Sequence, residues 1–468
     1  MNNKLRVDDI INLEIKRIGI NGEGIGFYKR QAVFVLNAIP KDIVKVRITS
    51  DFDNYVKAEI IEFIKRDSNH VVPACPYYGK CGGCQLQHVK YEYQGVLKRE
   101  HLIECIERYS SINPRKFEIK PTIMMDNPFG YRNKSSLPVR NNGKKNVMGI
   151  YEADSNRIVY VDDCLIHNDQ INYVNKKILE FMEELNIRAY SEKFNGGIVK
   201  YIVTRISTFN NEIQVTIILH EKSSKIYKLA EKIMSLDNVV SVYEDFNEKT
   251  GQGIIFGKSL KKLAGKDTIT EKLDKISFEL LPNAFFQLNP IQTVKLYNEV
   301  KKACKLSRKE TVIDAYCGVG TIGMWLANMA KEVIGIELNR EAVESANMTA
   351  KKLKIKNIHF YNDDVNVKLP ALIKDGLLPD VVVFDPPRTG LDAKTMDLIM
   401  KIEPKRIVYV SCNPSSLAKD LNILDEKYKI NYIQPIDMFP MTSHVECVCQ
   451  LSLKTEMKHI DKNNIKNK

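Results

Sequence analysis

The chain has 468 residues, room for about three domains and for cores that need no disulfides to hold them. Its 44% apolar and 27% charged residues exclude wholesale disorder. Lys and Arg number 70 against 58 Asp and Glu, a net charge of +12 that suits a polyanion such as nucleic acid or, equally, a Lys-rich solvated surface.

The first residues, MNNKLRVDDI, contain no apolar core of a signal peptide. No run approaches the ~20 apolar residues that span a bilayer. A cytoplasmic protein without a membrane partner is expected. In a reducing compartment its ten cysteines are expected as ligands, nucleophiles or buried small hydrophobes rather than disulfides.

Residues 1–66 alternate apolar and polar positions in INLEIKRI, AVFVLNAI, DIVKVRIT and YVKAEIIEFI. Short strands at this spacing predict a small antiparallel, OB-like barrel. Gly22, Gly24 and Gly26 follow no buried strand, so they predict a tight strand connection rather than a dinucleotide fingerprint. Residues 67–277 form a mixed α+β stretch. It opens with the cysteine-rich PACPYYGKCGGCQLQH and a helix over YEYQGVLKREHLIECIERY, and it includes strands at KYIVTRIST and NEIQVTIILH. Cys75, Cys81 and Cys84 are spaced C-x5-C-x2-C, and Cys164 lies further on in VDDCLIH. Four thiolates of this kind bind either zinc, the commoner occupant, or a 4Fe–4S cluster.

From residue 278 to 453, ETVIDAYCGVGTIG, KEVIGIE, IHFYNDD, DVVVFDPPR and RIVYVSCNP are buried strands alternating with helical segments. That order predicts a doubly wound, Rossmann-like α/β domain with its crevice at the carboxyl ends of the strands. Asp314 precedes Gly318, Gly320 and Gly323, but no Lys-Ser/Thr pair follows, so this is not a phosphate loop. Glu337, Asp363 and Asp364 close the next two strands. Acidic strand ends without a phosphate cradle suit an adenosine ligand such as S-adenosyl-L-methionine. An NAD site or a vestigial Rossmann-like fold is the competing reading. The tail, 454–468, is polar, basic and expected to be disordered.

Asp385 and Cys412 end two strands of this domain and so face one crevice. Burial as a small hydrophobe explains Cys105, Cys304, Cys447 and Cys449. It explains Cys412 poorly, because a cysteine facing a ligand crevice is exposed to substrate, and nearby backbone N–H groups at the helix start Asn413-Pro414 can favour its thiolate. A thiolate that adds to carbon 6 of uracil makes carbon 5 nucleophilic, and a base must then remove the carbon-5 proton. Glu446 in MFPMTSHVECVCQL is the candidate base, with His444 expected on the same strand face. Aromatic and basic residues interleave at Tyr77-Tyr78-x-Lys80 and Phe129-x-Tyr131-Arg132-Asn133-Lys134, as in single-stranded RNA binders. Ordinary surface charge over buried tyrosines is the alternative.

DPPR-x-G, SCNPSSLAKD, D-x-F-P-x-T-x-H-V-E, PNAFFQLNP and the cysteine cluster together resemble the RNA 5-methyluridine methyltransferases. The nearest resemblance is to the bacterial 23S ribosomal RNA branch, which carries an N-terminal TRAM barrel and an iron–sulfur centre. The resemblance implies Cys412 as nucleophile and Glu446 as proton acceptor. It implies Gln287, Tyr316, Thr321, Glu337, Asp364 and Asp385 around S-adenosyl-L-methionine, with Asp363 able to replace Asp364. It implies Cys75, Cys81, Cys84 and Cys164 around a 4Fe–4S cluster rather than zinc, and Arg132 and Lys134 on the substrate. The expected partner is ribosomal RNA presenting a single-stranded or flipped uridine, with no obligate protein partner evident. The rivals are a transfer-RNA substrate, a non-catalytic iron–sulfur RNA-binding or sensor protein, and an amino-group methyltransferase. The last carries an aromatic after D-P-P, where this chain has Arg388.

Overall fold

The N-terminal alternation folds into a closed barrel in the order β1-β2-β3-β5-β4. Its strands are β1 (Ile10–Ile18), β2 (Gly24–Tyr28), β3 (Gln31–Val35), β4 (Ile43–Asp51) and β5 (Tyr55–Lys65). This computed structural model describes residues 4–248 and 254–454, so the tail from residue 455 onward lies outside the described residues. Alternate side chains, among them Leu13, Ile15, Val33, Val44, Val46 and Val56, fill the barrel, each contributing about 1.5–3 kcal/mol on full burial.

Two expectations for the barrel are corrected. The glycine run is more than a connection: Gly22 takes the turn at φ +79°, while Gly24 and Gly26 belong to β2. A Cβ on Gly26 would stand 2.6 Å from the Glu14 carbonyl oxygen, so glycine is what lets β2 lie against β1. The barrel is also not wholly antiparallel, because β3 and β5 pair in parallel. Five strands of alternating direction cannot close a ring without one such pair.

Next come α1 (Tyr91–Tyr109), β6 (Glu118–Ile119), β7 (Lys134–Asn141), β8 (Asn146–Tyr151), β9 (Ile158–Tyr160) and α2 (Asp169–Glu184). They are followed by β10 (Val199–Ile206), β11 (Ile213–Leu219), α3 (Lys225–Met234), β12 (Val239–Phe246) and β13 (Lys261–Gly265). Seven of these strands form a sheet in the order β13-β12-β11-β10-β7-β8-β9. On α2, Ile171, Val174, Ile178 and Met182 recur at three- and four-residue intervals and are buried in one core with Ile202, Val215 and Ile217 of the sheet. Asn168 caps that helix by accepting the Gln170 N–H at 3.0 Å. A hairpin of β14 (Ile269–Leu273) and β15 (Ile276–Leu280) leads onward.

The remaining elements are α4 (Pro290–Cys304), β16 (Thr311–Ala315), α5 (Thr321–Ala327), β17 (Glu332–Glu337), α6 (Arg340–Lys352) and β18 (Ile358–Asn362). After them stand α7 (Val365–Lys374), β19 (Val381–Phe384), α8 (Ala393–Ile402), β20 (Arg406–Ser411), α9 (Pro414–Leu424), β21 (Tyr428–Ile436) and β22 (Glu446–Leu453). The sheet order is β18-β17-β16-β19-β20-β22-β21-β6. The first five strands are parallel, and β22 runs antiparallel to both neighbours. The winding reverses beside β16, which places the crevice at the carboxyl ends of β16 and β19.

The expected three-part fold is present, with one difference in packing. Strand β6 pairs with β21, and Leu102 and Ile106 of α1 are buried in one core with Leu417 and Leu421 of α9. Part of the stretch expected in the central domain therefore completes the C-terminal one, because the apolar face of α1 finds its cover there. Among the described residues, no helix is long and apolar enough to cross a membrane.

Gly26→Val is expected to cost the barrel about 1–3 kcal/mol through overpacking. Amide hydrogen exchange should quicken across β1 and β2, with protection of the C-terminal sheet unchanged.

Candidate active site

The crevice begins where β16 ends. Tyr316, Gly318 and Gly320 follow with φ of +62°, +54° and +75°, which turns the chain sharply into α5. A tyrosine in the left-handed region is a strained conformation, of the kind that collects at ligand sites. Its hydroxyl lies 3.1 Å from Thr395 Oγ1. A Cβ on Gly318 would meet no atom within 4 Å, so its backbone faces open space. The Gly318 N–H donates to Glu337 Oε2 at 3.1 Å, and the Asn339 N–H donates to Oε1 at 2.8 Å. These bonds hold the Glu337 carboxylate at the end of β17.

Asp314 accepts the Gly323 N–H at 2.7 Å on one oxygen. Its other oxygen is buried without a partner, and burial pushes its carboxyl up to about 7. Thr321, the first residue of α5, lies 2.8 Å from the Tyr297 hydroxyl. Asp364 caps α7 through the Asn366 N–H at 2.8 Å, and Asp363 accepts the Asp364 N–H at 2.8 Å. Both acidic residues at the end of β18 thus spend one oxygen on the local turn. The Gln287 carbonyl accepts from Asn133 Nδ2 at 3.2 Å. An open glycine backbone beside a fixed carboxylate, without a phosphate loop, fits a non-phosphorylated adenosine ligand.

Cys412 follows β20 directly and is partly buried. Glu446 opens β22 and is 7% exposed. The ladder between these strands pairs Ser411 with Cys447, so continuing it one step sets Glu446 opposite Cys412. Asp385 follows β19, next along the sheet. Burial, then the charge of Asp385, pushes Glu446 up to about 8, against the opposing pull of Arg388. Burial alone pushes Asp385 up to about 7.

The expected ease of thiolate formation at Cys412 is not present. Burial, then the charges of Glu446 and Asp385, raises its thiol, and Arg388 opposes them. Desolvation beside two carboxyl groups outweighs the backbone N–H groups. His444 also departs from expectation. It lies in the loop before β22 and is exposed, because the His444 N–H turns to Thr442 Oγ1 at 3.3 Å instead of extending the strand.

That loop, residues 437–445, is fastened from several directions. Asp437 forms a fully buried ion pair with Lys98 of α1 and accepts from the Tyr91 hydroxyl at 2.9 Å. Gln292 Nε2 donates to the Asp437 carbonyl at 2.8 Å, Asn289 Nδ2 to Met438 O at 2.9 Å and the Tyr131 hydroxyl to Pro440 O at 3.0 Å. Ser443 Oγ donates to Ile20 O of the barrel at 2.7 Å.

Cys75, Cys81, Cys84 and Cys164 are free thiols lining one small cavity. The Gly83 N–H donates to Cys81 Sγ at 3.3 Å, and a Cβ on Gly82 would press to 2.8 Å from Tyr151 O. Among the described residues, no group of three or more His, Cys, Asp or Glu is arranged to hold a metal ion. Arg132 stands between this cavity and the loop: its charge acts on Cys81, Cys84 and Cys164, and its guanidinium lies 5.9 Å from the Phe439 ring centre. Lys134 turns elsewhere, 5.3 Å from the Phe256 ring centre and under the charge of Arg205.

The carboxyl edge of the sheet therefore gathers Cys412 and Asp385 after β20 and β19, Glu446 at the start of β22, and Tyr316, Thr321 and Glu337 around the ends of β16 and β17. Arg388, Tyr297 and Lys98 were missed as site residues. Only Arg388, printed within the DPPR motif, carried a local signal.

A family model described as tRNA (Uracil-5-)-methyltransferase matches residues 98–454, and a TRAM domain model matches residues 4–61. An uncharacterized RNA methyltransferase of Bacillus anthracis is 43% identical over 454 residues, 96% of this chain and 98% of its own length. One from Listeria monocytogenes is 42% identical over 445 residues, 94% of this chain and 97% of its own. Among solved structures, the Pyrococcus abyssi tRNA (uracil-54, C5)-methyltransferase in complex with S-adenosyl-L-homocysteine is similar with a TM-score of 0.76 and 28% identity, covering 94% of this chain and 100% of that one.

The raised carboxyls predict a pH dependence of stability. Glu446 moves from 4.5 to about 8 and Asp385 from 3.8 to about 7 on folding. A group that holds its proton better when folded contributes fully below its unfolded pKa, and that contribution is lost as pH rises through the folded value. The thermal midpoint of the ligand-free protein should fall between about pH 5 and pH 8, and Glu446→Gln should flatten part of that slope.

Proposed function

The chain belongs to the tRNA (uracil-5-)-methyltransferase family, and on that premise we propose that it methylates carbon 5 of a uridine in 23S ribosomal RNA through a covalent Cys412 adduct. The observation that carries this reading is the β20–β22 ladder, whose end pair Ser411–Cys447 brings the neighbouring Cys412 and Glu446 to one mouth of the crevice, close enough for the Glu446 charge to act on the thiol. S-adenosyl-L-methionine, held by Gln287, Tyr316, Thr321, Glu337, Asp364 and Asp385, supplies an electrophilic sulfonium methyl and a positive charge when bound.

The uridine is extruded from its stack at a cost of a few kcal/mol. The Cys412 thiolate adds to carbon 6, and the electron pair moves to carbon 5, making it nucleophilic. Once carbon 5 carries the methyl, Glu446 takes the carbon-5 proton. The ring double bond reforms, and the Cys412 sulfur leaves with its electron pair. The burial that raises Glu446 to about 8 suits a base working near neutral pH. The barrel and Arg132 dock the RNA, and work on RNA fits a cytoplasmic location.

A transfer-RNA substrate is the second reading. It is favoured by the likeness to the Pyrococcus abyssi enzyme. The barrel and the four-cysteine cavity favour ribosomal RNA, through the resemblance to the branch that carries both.

The four thiols are proposed to hold a 4Fe–4S cluster. They line one small cavity, and the support for a cluster there is the resemblance of their spacing to the iron–sulfur branch of the family. Such a cluster would tie segments 75–84 and 164 together. The proposed methyl transfer needs no electron, so the role is structural and RNA-positioning.

Incubation with 5-fluorouridine-containing ribosomal and transfer RNA tests the chemistry. Fluorine blocks the last deprotonation, so a stable protein–RNA adduct should form on ribosomal RNA and map to Cys412. It should vanish in Cys412→Ala, while Glu446→Gln should accumulate adduct on ordinary RNA. Full methylation by Cys412→Ala would overturn the mechanism, and adduct on transfer RNA alone would decide for the second substrate. Anaerobically purified protein is expected to be brown, with about four irons and four sulfides per chain. Colourless protein with stoichiometric zinc would overturn the cluster.

A further inference from the structure

Arg205 is a buried cation that the proposed chemistry does not use, and the partly buried Lys134, expected only in general terms on the substrate, stands beside it. Lys134 opens β7 and stands directly opposite Arg205 in the β7–β10 ladder. Opposed residues of an antiparallel pair share a face, about 5 Å apart at Cβ, where like charges repel. Arg205 is only 3% exposed. Its Nη2 donates to the Ala284 carbonyl at 2.5 Å, and its Nη1 is buried with no partner. Among the described residues, neither cation forms an ion pair. Glu271 attracts Arg205 electrostatically, but its oxygens accept the Thr208 and Lys272 N–H groups at 2.9 and 3.0 Å. Burial and the Arg205 charge push the Lys134 ammonium down to about 7. A buried guanidinium with an unused N–H beside a second cation is costly until an anion arrives.

The surroundings say which anion. Ala284 lies in the segment that contains Gln287, and Asn133, next to Lys134, bonds that segment at the Gln287 and Leu288 carbonyls. The two cations thus adjoin the segment that carries Gln287, a residue proposed above to hold S-adenosyl-L-methionine. Phe285, beside Ala284, is 74% exposed, an aromatic face free to stack a base. Paired cations beside an exposed ring match the needs of a single-stranded polynucleotide.

We propose that Arg205 and Lys134 form a cradle for one backbone phosphate of the RNA strand beside the target uridine, with Phe285 stacking an adjacent base. Arg205 is fixed by Ala284 through one arm and donates to the phosphate through the other, and Lys134 supplies the second donor. The inference rests on the uridine-methylation reading.

Binding of a short oligouridylate to the full-length protein tests it, against the same strand carrying uncharged methylphosphonate linkages. Lys134→Gln should weaken the charged strand at least about tenfold and lower the salt slope by about 0.7, leaving the neutral strand unaffected. Arg205→Lys keeps the charge but loses the fork, so it should weaken the charged strand as well. The double variant should lose little more than either alone. S-adenosyl-L-methionine affinity should stay unchanged in all three, which also reports folding. Wild-type affinity of Lys134→Gln for the charged strand would overturn the cradle. So would a loss confined to S-adenosyl-L-methionine, which would assign the anion as that ligand's carboxylate. A wild-type protein that makes no 5-methyluridine, yet shows these oligouridylate losses, would sink the uridine reading and leave the cradle standing.

Discussion

The buried ion pair between Lys98 and Asp437 is the constraint on which the catalytic end of the molecule depends. Asp437 ends the excursion of β21 and starts the loop that delivers Glu446. Burying two charges is expensive, and leaving one unpaired costs about 3–5 kcal/mol. The loop therefore has one good position, the one in which α1 presents its lysine. Tyr91 takes a second oxygen of the same carboxylate, which removes the remaining freedom. Glu446 can then be buried at a strand end without drifting, and its distance from Cys412 is set by the β20–β22 ladder rather than by a mobile side chain.

The crevice has a consistent electrostatic character. Asp314, Asp385 and Glu446 are all pushed toward the protonated form, Asp385 by burial and the other two by burial and by nearby acidic charge. Cys412 is raised by the same neighbours. Such a site disfavours a phosphate-bearing ligand and favours a cation, because a positive charge returns each group toward ionisation. A sulfonium is a cation of the kind that satisfies that demand. The +12 net charge of the chain and the acidity of its crevice are therefore separate features of the molecule, opposite in sign.

Much of this was legible in the residues because it is local. A glycine turn after an apolar strand, Asp385 and Cys412 at strand ends, and Cys75, Cys81 and Cys84 in a fixed pattern can all be read within short windows. What was not legible depends on partners far away in sequence. Lys98 meets Asp437 across 339 positions, and Arg205 faces Lys134 only because β7 and β10 are neighbours. The misreading of Cys412 has the same origin: its own helix start favours the thiolate, while the opposing carboxyls come from other strands. His444 failed for a smaller reason, since strand alternation was extended into a segment that Thr442 bends.

The pairing of β6 with β21 sets the order in which the polypeptide can acquire its shape. Residues near 119 leave the ribosome long before their partners near 433, so the first helix must wait with its apolar stripe unmet while the middle of the chain is made. The barrel can close early on its own contacts, whereas the edge of the large sheet is a non-local contact that forms late and slowly. Chaperone demand during synthesis should thus concentrate on that waiting segment rather than on either terminus.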